Sequence, residues 1–75
     1  MNTKRRERLR MVVAQLEAAK DEIESVQEEE DEARDNMPES LQETDRYFDS
    51  ENASDAMGTA AENIAAAIEE LEEVV

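Results

Sequence analysis

The chain has no cysteine, no histidine and no tryptophan among its 75 residues. Without cysteine there is no disulfide, no thiolate nucleophile and no zinc–thiolate site. Without histidine the commonest metal ligand and the usual general base near neutral pH are both missing. The single glycine, Gly58, excludes every glycine-rich phosphate loop. The longest uncharged stretch near the start, Met11–Leu16, is far too short for the apolar part of a signal peptide or for a membrane span. A cytoplasmic location with no membrane contact is therefore expected. Asn52-Ala53-Ser54 fits a glycosylation acceptor, and without a secretion signal it is read as a chance match.

Large apolar residues are also scarce. Leu, Ile, Val and Phe number 13, and the net charge is −14; together these lie in the range of disordered chains. Ala, Glu, Lys, Leu and Arg, however, make up 39 of the 75 residues, the composition of long helices when the apolar residues are periodic. Periodicity decides between the two. Leu9, Val12, Leu16, Ala19, Ile23, Val26, Glu30, Ala33 and Met37 alternate spacings of three and four, broken only by Glu30. Met57, Ala61, Ile64, Ile68, Leu71 and Val75 repeat the pattern. Two positions in seven is the narrow seam of a coiled coil.

The expected fold is all-α: an antiparallel helical hairpin, coiled-coil-like, forming a single domain over 1–75. Helix 1 is expected at about 3–35, a partly helical connector at about 36–51 and helix 2 at about 52–74. Pro38 ends the first helix, because it lacks an amide hydrogen and pushes Met37 out of the helical region. Ser50, Asn52 and Ser54 are all candidate caps for the second, and Ser40-Leu41-Gln42-Glu43 reads as a capping box. Gly58 marks either a local weakness of helix 2 or a tight backbone crossing. Lys4, Arg5, Arg6, Arg8 and Arg10 at one end of the chain, and Glu69, Glu70, Glu72 and Glu73 at the other, each have the wrong sign for their own helix dipole. Antiparallel packing sets the two groups side by side. Met11, Val13, Ala14 and Ala18, with Ala60, Ala67 and Val74, form a second apolar face. Dimerisation into a four-helix bundle would cover it.

Chemistry-bearing features are few. Glu28, Asp31, Glu32 and Asp35 lie at helical spacings on one face and have the spacing to hold a hard cation; a solvated face is the plainer reading. Glu30, in the seam, is a register-fixing polar residue, a partner for Arg34 or Arg46, or a sign that the core has ended. No catalytic residue, cofactor or small-molecule substrate is expected. Residues 11–75 carry 21 acidic side chains against Lys20, Arg34 and Arg46, so direct binding to nucleic acid is not expected either. The same charge admits the reverse reading. A rod lined with carboxylates such as Glu28, Asp31, Glu32 and Asp35 resembles duplex DNA and would suit the basic groove of a DNA-binding protein.

The segment Asp35-Asn36-Met37-Pro38-Glu39-Ser40-Leu41-Gln42, with Arg46-Tyr47 after it, resembles the centre of a loosely defined group of small uncharacterised acidic two-helix proteins. These come from Gram-positive bacteria, their phages and other mobile elements. Lys4-Arg5-Arg6 and the Ala/Ile/Glu-rich stretch from Ile64 to Val75 match the two ends of the same group. Phe48 and the Ser/Asn-rich stretch after it depart from the pattern. The resemblance implies no catalytic or binding residues; its setting implies an inhibitor of a host or defence protein. The residues of the connector make a second candidate contact with an unidentified protein: Met37, Pro38, Leu41, Gln42, Arg46, Tyr47 and Phe48. The plainer reading is that Met37, Leu41 and Phe48 plug the end of the bundle.

Overall fold

A computed structural model describes all of residues 1–75. Two helices, α1 (Thr3–Asp35) and α2 (Asp45–Glu72), are joined by a link that contains one short 3₁₀ turn at Glu39–Leu41. They pack antiparallel into a hairpin measuring 59 × 14 × 12 Å, all-α and one layer thick. No helix is long and apolar enough to cross a membrane.

Helix α1 begins where Asn2 turns its side chain onto the helix, Oδ1 accepting from the Arg5 amide at 2.9 Å; this satisfies one of the first-turn amides that have no intrahelical partner. It ends at Asn36, two residues before Pro38, as the proline requires. Helix α2 starts seven residues earlier than the apolar repeat suggests, with Thr44 as its N-cap. Neither Ser50, Asn52 nor Ser54 caps it, and the expected connector over 36–51 shrinks to the link between Asp35 and Asp45. The capping box at Ser40 is not formed either. Pro38 precedes the 3₁₀ turn, with no side-chain cap, and Thr44 Oγ1 donates to the Leu41 carbonyl at 2.6 Å.

The seam between the helices also differs from the apolar repeat, and the difference has a pattern. Facing α2 along α1 are Arg6, Val13, Lys20, Gln27 and Arg34, every seventh residue. The expected Val12, Ala19, Val26 and Ala33 stand one residue away and are exposed, while Val13, assigned to the outer face, is buried. Leu9, Leu16 and Ile23 are half-buried and border both columns. On α2 the expected Ala61 and Ile68 are buried, and the seam runs on toward the link through buried Ser54 and Ser50. The hairpin therefore zips on past Glu30, and that residue does not mark the end of the paired region. Long side chains on α1 (Lys20, Gln27, Arg34) meet small residues on α2 (Ala61, Gly58, Ser54, Ser50).

Only Val13, Ala61, Ile68, Ser50 and Ser54 are buried, and no side chain is fully shielded from solvent.

Candidate functional site

The link half of the hairpin is held by hydrogen bonds. Ser54 Oγ donates to Asp31 Oδ1 at 2.5 Å, and Arg34 Nη2 donates to the same oxygen at 2.9 Å. Arg34 Nη1 reaches both the carbonyl and the hydroxyl of Ser50 at 3.3 Å. One turn back along α1, Gln27 Nε2 donates to the Ser54 carbonyl at 3.0 Å. The hydrogen bond from Ser54, opposed by some loss of hydration and aided by the Arg34 guanidinium, holds the Asp31 carboxyl below its ordinary value. Arg34 is raised in turn, chiefly by its bond to Asp31. Gly58 belongs to this cluster. A Cβ there would stand 3.1 Å from Gln27 Nε2, the far end of a flexible side chain, so the glycine makes room for the Gln27 amide and not for a crossing backbone.

These contacts reassign two expected residues. Asp31, placed on the exposed acidic face by its spacing, turns inward and is engaged by Ser54 and Arg34. Glu30 pairs with neither Arg34 nor Arg46, because Arg34 is committed to Asp31 three residues before it. Glu28, Glu32 and Asp35 remain exposed, and no group of three or more carboxylates converges as a cation would need. At the open end the basic residues do not pair with the glutamates of α2. Arg10 Nη2 donates to the Val75 carbonyl at 2.9 Å, and Arg6 Nε to the Val74 carbonyl at 3.4 Å. Both carbonyls lie just past the end of α2 at Glu72, so the two cations stand near the negative end of its dipole.

The link presents the other expected contact residues. Met37, Pro38, Leu41 and Arg46, together with Glu30, Ala33, Arg34 and Asn36, line a hollow of about 370 Å³. Leu41 is exposed, as is Gln42 beside it. Tyr47 is half-buried at the start of the seam and meets Phe48 edge-on, ring centroids 6.0 Å apart. Phe48 is 50% exposed. Met37 and Tyr47 are half-buried at the end of the hairpin, whereas Leu41 and Phe48 stay exposed.

Sequence reasoning missed the uneven division of the hairpin's two broad faces. In a coiled coil, columns of residues seven apart run along the axis, each roughly 50° from the next. Turning one way from the α1 seam leads to Leu9, Leu16 and Ile23, then to Val12, Ala19, Val26 and Ala33. The same turn on α2 leads to Met57, Ile64 and Leu71, then to Ala53, Ala60, Ala67 and Val74. In an antiparallel pair these two turns open on the same side. One face is therefore apolar over most of its length, interrupted by Glu30 in the column of Leu9, Leu16 and Ile23 and by Arg5 and Arg46 at its two ends. A groove of about 570 Å³ lies at its α1 end, lined by Met1 and the first turns of α1, among them Arg5, Arg8, Leu9 and Val12. The opposite turn leads to Glu17, Asp21, Glu24, Glu28 and Asp35 on α1, and to Glu51, Asp55, Glu62 and Glu69 on α2. That face is acidic. The signal for this division was present in the strict sevenfold spacing of Val12, Ala19, Val26 and Ala33.

Family models, curated proteins and solved structures were each compared with this chain, and none of them matches it.

Proposed function

We propose that this chain is a non-enzymatic protein–protein interaction module that works as a homodimer and contacts a further protein through the exposed residues of its link. The observation that carries the reading is the distribution of apolar surface. Val12, Val26 and Val74 on one face, and Leu41 and Phe48 at the link, are exposed, while the buried core amounts to three apolar side chains. A domain of this size draws only about 3–5 kcal/mol from a complete core. A thinner one gains most by covering its open face. A cytoplasmic setting, and an origin in a phage or mobile element, go with this reading.

Sedimentation equilibrium tests it: a particle of twice 8.5 kDa is expected, and a fully helical monomer overturns the dimer. Leu41→Ala and Phe48→Ala are then expected to abolish capture of a partner from the native host while leaving mass and helicity unchanged; capture that survives both overturns the link as the contact.

The acidic face favours a second reading, an inhibitor that occupies the basic groove of a DNA-binding protein. Its carboxylates lie on both helices of one rod face and point away from the apolar side. Binding of this kind falls steeply as ionic strength rises, whereas a contact through Leu41 and Phe48 changes little with salt.

A further inference from the structure

We infer that the apolar face is covered by a second copy of this chain lying tip-to-tail, with the twofold axis crossing α1 at Ala19. The inference rests on the homodimer proposed above and specifies its face and direction.

Area sets the size of the partner. A compact monomer of this mass exposes about 4,650 Å² by the usual scaling with molecular weight. The chain exposes 5674 Å², an excess of about 1,000 Å² over that compact reference. A stable interface of standard size removes about 800 Å² from each partner. The surplus is therefore the size of one interface, and the face that carries Val12, Ala19, Val26 and Ala33 is the mostly apolar one of the hairpin's two broad faces.

Two hairpins stacked on this face can point their links to the same end or to opposite ends, and charge separates the two. Residues 28–51, the link half, hold eleven carboxylates against Arg34 and Arg46, a net charge of −9. The open end, residues 1–10 with 66–75, balances five basic against five acidic side chains. Links at one end would gather −18 within a few Debye lengths. Opposite ends keep the two clusters apart and lay each beside the partner's arginines.

Register follows from the columns. With the axis perpendicular to the helices at Ala19, α1 meets its own copy running the other way. Val12 then faces the second copy's Val26, and Ala19 faces itself. Just outside, the bordering column Arg8, Gln15, Glu22 and Glu29 sets Arg8 opposite the second copy's Glu29, and Gln15 opposite its Glu22. An apolar stripe edged by a charge gradient from positive to negative is self-complementary only when it runs antiparallel to itself.

The absence of cysteine makes the test direct. Under mild oxidation Ala19→Cys is expected to form a disulfide-linked dimer, and a mixture of Val12→Cys and Val26→Cys chains a mixed one. Val12→Cys alone should not link, since its two copies would lie about 20 Å apart along the axis. In the opposite stacking α1 faces the second copy's α2, and a mixture of Val12→Cys and Val74→Cys links instead. That result, or an Ala19→Cys particle of dimer mass without the link, overturns the tip-to-tail arrangement and leaves the homodimer standing. A monomer mass for the unmodified chain overturns both.

Discussion

Replacing Gly58 by alanine sets two effects of known size against each other. In the interior of a helix, glycine costs about 0.8–1.0 kcal/mol relative to alanine, so Gly58→Ala should stabilise α2 by that amount. The new Cβ would stand 3.1 Å from Gln27 Nε2, closer than an unstrained contact, and the amide must move by a few tenths of an ångström. It has little room, because the same nitrogen donates to the Ser54 carbonyl at 3.0 Å and sits 3.5 Å from its hydroxyl. Weakening that bond costs about 0.5–1.5 kcal/mol. The terms nearly cancel, and Gly58→Ala alone is expected to shift the melting temperature by no more than about 2 °C. In a Gln27→Ala background the obstruction is gone. The full helical gain then appears, about 4–8 °C for a chain of this size. The four proteins of this cycle are compared by thermal circular dichroism at one chain concentration, because the proposed dimer would make the melting temperature concentration-dependent. An equal gain in both backgrounds would refute the reasoning, since Gln27 would then not be held against Gly58 at all.

Asp31 gives a pH dependence of definite sign. Its folded pKa lies below the ordinary value of 3.8, so its contribution is present above that value and lost as pH falls through the lowered one. The difference in melting temperature between the unmodified chain and Asp31→Asn should stay constant from neutrality down to about pH 5 and narrow below 3.8; a gap that widens on acidification contradicts the assignment. Ile68→Ala removes one of three buried apolar side chains and should cost about 2 kcal/mol, the low end for such a truncation because the core is one layer thick. Urea unfolding measures it, and a loss under about 0.5 kcal/mol, the scatter of a surface substitution, would mean that Ile68 is not part of the core.

The hairpin itself was legible because two apolar repeats, separated by Pro38, leave few other folds. The seam was not, and the reason lies in particular residues. Val12, Ala19, Val26 and Ala33 form a better apolar column than Val13, Lys20, Gln27 and Arg34, so periodicity selects the first set. The molecule packs the second inward because α2 offers Ser50, Ser54 and Gly58 opposite them. Those same small polar residues made the start of α2 look like connector. One misreading therefore produced both errors, since apolar spacing detects dry seams and half of this seam is hydrogen-bonded. The inward turn of Asp31 was equally hidden, because it depends on Ser54, 23 residues away in sequence. Exposure of Leu41 and Phe48 was hidden as well, because apolar residues near a helix end read first as its plug, and Phe48 lies within α2.

The division of the seam into a hydrogen-bonded half and an apolar half also bears on how the hairpin opens. Arg34 and Ser50 close a loop of 16 residues, whereas Arg10 and Val75 lie 65 apart. Two doublings of loop length add about 1.2 kcal/mol of closure entropy, so the link half forms first and the open end frays first. Amide protons near Gln27 and Ser54 should then exchange more slowly than those near Leu9 and Leu71. In the proposed tip-to-tail pair each fraying end would rest on the firm half of the other chain, and the two copies would supply one another's missing protection.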